Sequence, residues 1–215
     1  GQIHYPDSAG RLLDATTLHA DWMVTVFGNL HLLLAARPDV FVAMDNLWYP
    51  VEGKPKRRAA PDVYVVFGRP KGRRGSYMQW VEGGVPLHVV FEVLSPGYRL
   101  RELMRKFRFY ERYGVEEYYV IDPDDHTFEA WHRAGNKLRP VRVNGGLVSP
   151  RLGIRFECSP GTDVAVRYPD GRPFLSFVEL GAERDRINQE LAAANEKATA
   201  LAAKLRELGI DPDTV

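Results

Sequence analysis

The stretch LHVVFEVL, residues 87–94, is the most apolar strand candidate in the chain, and the sequence on either side is organised around it. It is dominated by β-branched and aromatic residues, and Ser95-Pro96-Gly97 stops it. With a period of two, His88, Val90, Glu92 and Leu94 share one face, and Leu87, Val89, Phe91 and Val93 share the other. Both faces are mostly apolar, so this strand belongs in the middle of a sheet covered on both sides. Glu92 is the anomaly. A carboxylate taken out of water costs several kcal/mol even after relaxation, so a proton, a basic partner or a metal must compensate it. A buried Glu–Arg pair is the ordinary answer. A catalytic or metal role needs further residues.

Those residues lie in the flanking segments. Upstream, DVYVVF at 62–67 is a second strand rich in β-branched and aromatic side chains, opened by Asp62 directly after Pro61. Alone, Asp62 is a turn residue after proline. Two acids on adjacent strands, however, can converge on one hard cation, which binds through one or two carboxylates plus waters. Such a cation activates a water and neutralises charge on phosphoryl oxygens, the chemistry of phosphodiester hydrolysis. Downstream, residues 100–113 form a helix with Leu100, Leu103, Met104, Phe107 and Tyr110 on one face and Gly114 placed to cap it. Lys106 lies at the edge of that stripe. It is either a surface lysine paired with Glu102 or the cation that orients an attacking water and neutralises developing charge.

Further out, residues 17–36 read as a helix with Trp22, Val26, Leu30, Leu33 and Leu34 at helical spacing, ended by Pro38. Residues 41–44 and 47–51 are short strands, and the Gly- and Arg-rich segment 68–86 is a loop. After the central helix come a strand at 117–122, a turn at 123–125 and a hairpin of 128–133 with 138–143 around Gly135-Asn136. The runs 149–157 and 164–168 complete a β-rich half. The fold class is α/β.

Charge is uneven. Residues 176–215 hold five basic and eight acidic side chains, while the body holds 24 basic and 20 acidic. The window 54–74 contains Lys54, Lys56, Arg57, Arg58, Arg69, Lys71, Arg73 and Arg74 against the single acid Asp62. It is either a phosphate-binding surface for nucleic acid or a pair of solvated loops. The tail, 179–208, has no proline and carries apolar residues in alternating steps of four and three from Ile187, a heptad pattern. It predicts a coiled coil joining two chains rather than a helix folded back on its own body, with one charged seam position, Arg184, and two alanines. At roughly three to four heptads the seam is short, so the expected homodimer forms through this helix and the body together. The expected division is a domain over 1–178 and a coiled-coil helix with tail over 179–215.

Several classes are excluded. No apolar run approaches the ~20 residues that span a bilayer. The six histidines lack zinc spacing, and no P-loop, GxGxxG or GxSxG occurs. Cys158 is the only cysteine, which rules out an intrachain disulfide and suits a reducing cytoplasm. The chain begins at Gly1, so a tag remnant or a native start further upstream is expected.

The segments APDVYVVFGRPKGRRGSYMQW, VVFEVLSP, KFRFYERYGVEEYYVIDP and SPRLGIRF resemble the Uma-two family of putative restriction endonucleases, within the PD-(D/E)XK nuclease superfamily. The resemblance spans residues 15–180, and the ending KLRELGIDPD is similar to the coiled-coil ending of some members. It implies a restriction-endonuclease-like core: a mixed sheet of about four strands, flanked by helices, with Mg²⁺ or Mn²⁺ at one end and DNA as substrate. Asp62 matches the first acid and Glu92 the second, with the Val93 carbonyl as a further metal ligand. The superfamily lysine falls at Leu94 here, a departure, and the resemblance moves it to Lys106 in a K…Y pattern with Tyr110. Glu102 stands where the family often has Asp, and Asp21 is the candidate for an acid on the first helix. A catalytically inactive DNA-binding or interaction module on the same scaffold is the alternative.

Overall fold

The computed structural model describes residues 17–95, 100–159, 161–209 and 211. It divides into two compact units, Gly1–Phe174 and Leu175–Val215. The elements of the first are α1 (Thr17–Leu33), β1 (Val40–Met44), β2 (Trp48–Tyr49), β3 (Val63–Phe67), β4 (Tyr77–Met78), β5 (Val89–Val93), α2 (Leu100–Tyr113), β6 (Glu117–Asp122), β7 (Thr127–Ala134), β8 (Lys137–Pro140), β9 (Leu147–Val148), β10 (Arg155–Glu157) and β11 (Ala165–Arg167). The second carries α3 (Phe177–Glu207).

The main sheet has six strands in the order β1-β3-β5-β6-β7-β8. Its pairs are antiparallel except β5 and β6, which run parallel with Val89 opposite Glu117 and Val93 opposite Ile121. A parallel pair needs a crossover, and α2 supplies it. The strand from 87–94 is therefore interior, as its two apolar faces require, and all five residues of β5 are buried. Alternation sorts the sheet into two cores. One, containing Val63, Val65, Val89, Phe91, Tyr119 and Ile121, packs against Val26 and Leu30 of α1 and Leu34 just after it. The other, containing Tyr64, Val66, Val90, Tyr118 and Val120, packs against Tyr110 and Phe107 of α2. Period two in β5 puts Glu92 with Val90, on the α2 side.

The structure differs from sequence expectation in several places. α1 ends at Leu33, three residues before the expected 36, because the residue before Pro38 is driven out of the helical region. The carbonyls of the turn that follows, Leu34 O and Ala35 O, accept from Lys71 Nζ at 2.8 and 2.7 Å. The segment 68–86 contains β4, which pairs in parallel with β2. On α2, Leu100 and Met104 are 74% and 42% exposed. They sit up to about 100° around the helix from Leu103, beyond what the sheet covers. Finally, the sheet has six strands rather than about four, because the β7–β8 hairpin extends it. That hairpin turns at Gly135-Asn136 with Ala134 opposite Lys137.

The α3 unit begins with a capping box. Ser176 Oγ accepts from Glu179 N, and Glu179 Oε2 accepts from Ser176 N at 2.7 Å. The helix starts at Phe177, two residues ahead of the expected boundary at 179, and none of its residues is buried.

Candidate active site

The site forms at the end of β5, where β3 begins and β1 ends. Asp62 immediately precedes β3, and its Oδ2 accepts from the backbone N–H of Val93 at 2.7 Å. That bond ties the start of β3 to the end of β5, setting the first carboxylate beside the residue that follows the second. Glu92 is fully buried. Its Oε2 takes Lys106 Nζ at 2.5 Å, and its Oε1 takes the Tyr110 hydroxyl at 2.5 Å. Lys106 and Tyr110 are four residues apart on α2, hence neighbours on one helix face. The K…Y spacing is the geometry that clamps one carboxyl group from both sides.

The electrostatics are those of crowded acids. Burial pushes the Glu92 carboxyl up to about 8; Lys106 opposes this, and the charge of Asp62 adds to it. In Asp62, burial also acts upward, but Lys106, His19 and the Val93 N–H outweigh it and hold the carboxyl below its ordinary value. One lysine thus serves two carboxylates. The neighbouring Tyr110 hydroxyl is pushed well up by burial and by Glu92, so it stays a donor.

Two further residues belong here that sequence reasoning did not single out. His19 of α1 is buried and puts Nε2 3.6 Å from Asp62 Oδ2. Asp21, the acid expected on that helix, is exposed; two residues' separation turns it about 200° away. A lone histidine in an amphipathic helix carries no sequence signal for this role. Asp45 follows β1, and the register Met44–Val63 brings it level with Asp62. Its N–H donates to Asp62 O at 3.0 Å, and its φ of 45° is left-handed. Aspartate tolerates that conformation better than most residues. Burial and the charge of Asp62 both raise the Asp45 carboxyl, with Lys106 and His19 acting against them.

The basic window is not gathered into one surface. Lys71 caps α1, and Arg69 N donates to Asp39 O; both follow β3 at its far end from Asp62. Arg74 holds Glu82 through two nitrogens and lies over the Phe41 ring at 4.0 Å. Lys54, Lys56 and Arg57 are exposed in the loop after β2, Arg58 is half-buried with Nη1 3.4 Å from Tyr49 Oη, and Arg73 is exposed. Leu94, standing at the superfamily lysine position, packs into the α2-side core, and the amine at Glu92 comes from Lys106. Glu102 lies 3.5 Å from Arg105.

Among the described residues no cluster of three His, Cys, Asp or Glu side chains is arranged to hold a metal ion. The donor chemistry nonetheless fits a hard cation. Asp62 and Glu92 offer carboxylate oxygens, and two neighbouring acids, Glu92 and Asp45, are both pushed up by burial and then by the charge of Asp62, a crowding of negative charge that a divalent cation relieves.

Residues 3–167 match the model of the Uma2 family, described as putative restriction endonucleases, and the chain belongs to that family. No curated protein matches the chain. Among solved structures, a crystal structure of a "putative nuclease belonging to DUF820" from Anabaena variabilis is similar at a TM-score of 0.48 and 10% identity, over 65% of this chain and 75% of that one.

Proposed function

We propose that the protein is a metal-dependent DNA endonuclease whose site is Asp62, Glu92 and Lys106. The observation that carries this is the meeting of two carboxylates from adjacent strands with one lysine from the crossover helix. Asp62, Glu92 and the Val93 carbonyl would hold Mg²⁺ or Mn²⁺. When bound, such a cation supplies an acidified water and neutralises charge on the phosphoryl oxygens. The chain's own groups do the rest. Tyr110 orients the Glu92 carboxyl, and Asp62 stays ionised at neutral pH. Lys106, with its side chain 15% exposed, is the donor at the site's open edge, where it orients a water or meets a phosphate oxygen. Lys54, Lys56, Arg57 and Arg73 are the exposed cations that would contact the DNA backbone. The heptad tail supports a homodimer through α3.

Supercoiled plasmid incubated with Mg²⁺ or Mn²⁺ tests the reading. Cleavage by the wild type that disappears in Glu92→Ala is expected. Absence of cleavage with either metal sinks it.

A second reading is an inactive DNA-binding module. It is favoured by the internal satisfaction of both Glu92 oxygens, which a metal would have to displace. It predicts salt-dependent DNA binding unaffected by Asp62→Ala.

A further inference from the structure

α3 is 31 residues long, about 46 Å at 1.5 Å per residue, and none of its side chains is buried. From Ile187 onward its larger apolar residues form one seam, while Phe177 and Val178 at its start are each 79% exposed. Ile187, Leu191 and Leu201 are each at least half exposed, and Leu208 is 74% exposed. In heptad terms Arg184, Leu191, Ala198 and Leu205 are a positions, and Leu180, Ile187, Ala194, Leu201 and Leu208 are d positions. The flanking g positions are Glu183, Glu190, Lys197 and Lys204, acidic in the first half and basic in the second. The flanking e positions, Gly181, Asn188, Asn195 and Ala202, are all uncharged.

We infer that α3 pairs with α3 of a second copy in antiparallel orientation, centred between Ala194 and Ala198. The inference rests on the reading of the tail as a coiled coil between two chains, and adds its direction and register. Flanking charges set orientation in coiled coils. In a parallel pair, g residues face e residues of the partner, and here every e position is neutral, so no ion pair is gained. Arg184 would also stack on Arg184 of the other copy. In an antiparallel pair, g residues face g residues. With Ala194 opposite Ala198, Glu190 of each copy faces Lys204 of the other, two attractive pairs against the single meeting of Lys197 with Lys197 on the twofold axis. Arg186 holds Glu183 and Glu190 within the chain at 2.6 and 2.7 Å. Those contacts are exposed and weak, and leave Glu190 able to share a second cation. The helix dipoles also oppose favourably.

The seam closes without a mismatch in one antiparallel register. Ala194 meets Ala198, Leu191 meets Leu201, and Ile187 meets Leu205, each pair occurring twice about the twofold axis. Small residues face small ones at the centre, letting the helices approach closely, while large ones face large ones outside. Arg184 meets Leu208 at the end of the coil, where its guanidinium reaches solvent.

Full-length protein carrying Cys158→Ser provides a background without thiols. Ile187→Cys and Leu205→Cys are made separately, given different mass tags, and treated with a short bismaleimide alone and mixed. The antiparallel register places the introduced thiol at position 187 of one copy against that at position 205 of the other, and holds identical positions about 27 Å apart. The expected result is a cross-linked heterodimer in the mixture at tenfold or more over either variant alone. Efficient cross-linking of each variant with itself overturns the orientation but keeps the coiled coil. A monomeric mass by sedimentation, with no cross-link, overturns both.

Discussion

Two buried glutamates sit on the two parallel strands at the centre of the sheet, and they are solved in opposite ways. Glu92 lies near the end of β5 on the α2 face, between Lys106 and Tyr110. Glu117 opens β6 at the other end, on the α1 face, in line with Tyr119. Its Oε2 accepts from the Tyr119 and Ser149 hydroxyls at 2.7 and 2.5 Å, and its Oε1 accepts from Arg151 N at 2.7 Å. Three uncharged donors surround Glu117, and two of them come from the segment that ties the β9–β10 region to the main sheet. Glu92 by contrast shares one cation with Asp62, and burial drives its carboxyl up to about 8. Burial of a carboxylate thus does not mark a reactive site. Competition between acids for too little positive charge is what sets Glu92 apart, and it is this feature on which the proposed active site rests.

The contrast can be broken by experiment. The largest expected effect is on cleavage. Asp62→Ala and Glu92→Ala lose roughly 10³-fold or more of the plasmid-nicking rate while remaining folded by circular dichroism. Glu117→Ala changes cleavage only in proportion to the folded fraction. A comparable catalytic loss from Glu117→Ala in well-folded protein would put the chemistry at the wrong end of the sheet.

Next is stability. Glu117→Ala removes the shared acceptor of three donors, the buried Ser149 hydroxyl among them, and costs about 3 kcal/mol by urea denaturation, against about 1 kcal/mol for Glu117→Gln, which keeps an acceptor. If the two substitutions cost the same, the three-donor cage is not what holds Glu117.

The pH response then separates the two acids. A carboxyl raised in the folded state binds its proton there in preference to the unfolded chain. The cost of burying Glu92 is accordingly absent below its unfolded value near 4.5, grows as pH rises and is complete above about 8. In chelator, Glu92→Gln should therefore gain on the wild type between pH 5 and 8, by on the order of 2–4 kcal/mol. Denaturation midpoints that run parallel across that range would remove Glu92 from the group of strained acids.

The smallest effects come from the tyrosines. Tyr119→Phe removes one of three donors to Glu117 and costs about 1 kcal/mol with no change in cleavage per folded molecule. Tyr110→Phe leaves Glu92 oriented by Lys106 alone, and roughly a tenfold fall in rate is expected. Equal catalytic effects from the two tyrosines would erase the distinction between their glutamates.

Much of this was visible in the chain alone. The apolar run around Glu92 required an interior strand and demanded a partner for the carboxyl. The helix over 100–113 and the strand over 117–122 followed from periodicity and punctuation, because those signals are local. The reading of Lys106 as a partner of Glu92 rested on family resemblance, and that of Asp62 on acids from adjacent strands together with that resemblance; the fold sets Lys106 on Glu92 and ties Asp62 to Val93. Glu117 escaped notice, since an acid opening a strand ordinarily faces solvent. His19 and Asp45 escaped because their meeting with Asp62 depends on α1 and β1 crossing the same sheet end. The eight basic residues of 54–74 looked like one patch in sequence. Folding commits Lys71 to a helix end and Arg74 to Glu82, because a strand in the middle of the window carries its two halves apart.

By itself, then, the sequence determined which segments are strand or helix, that Glu92 is buried and unusual, and that the tail carries a heptad seam. Backbone periodicity and the cost of an uncompensated charge act over a few residues, and a few residues suffice to read them. Only the tertiary structure decided which side chains answer Glu92, which basic residues remain available, and that a second glutamate, Glu117, is buried among three uncharged donors. Those outcomes depend on strand order and on the crossover of α2, which join positions 14 to 31 residues apart.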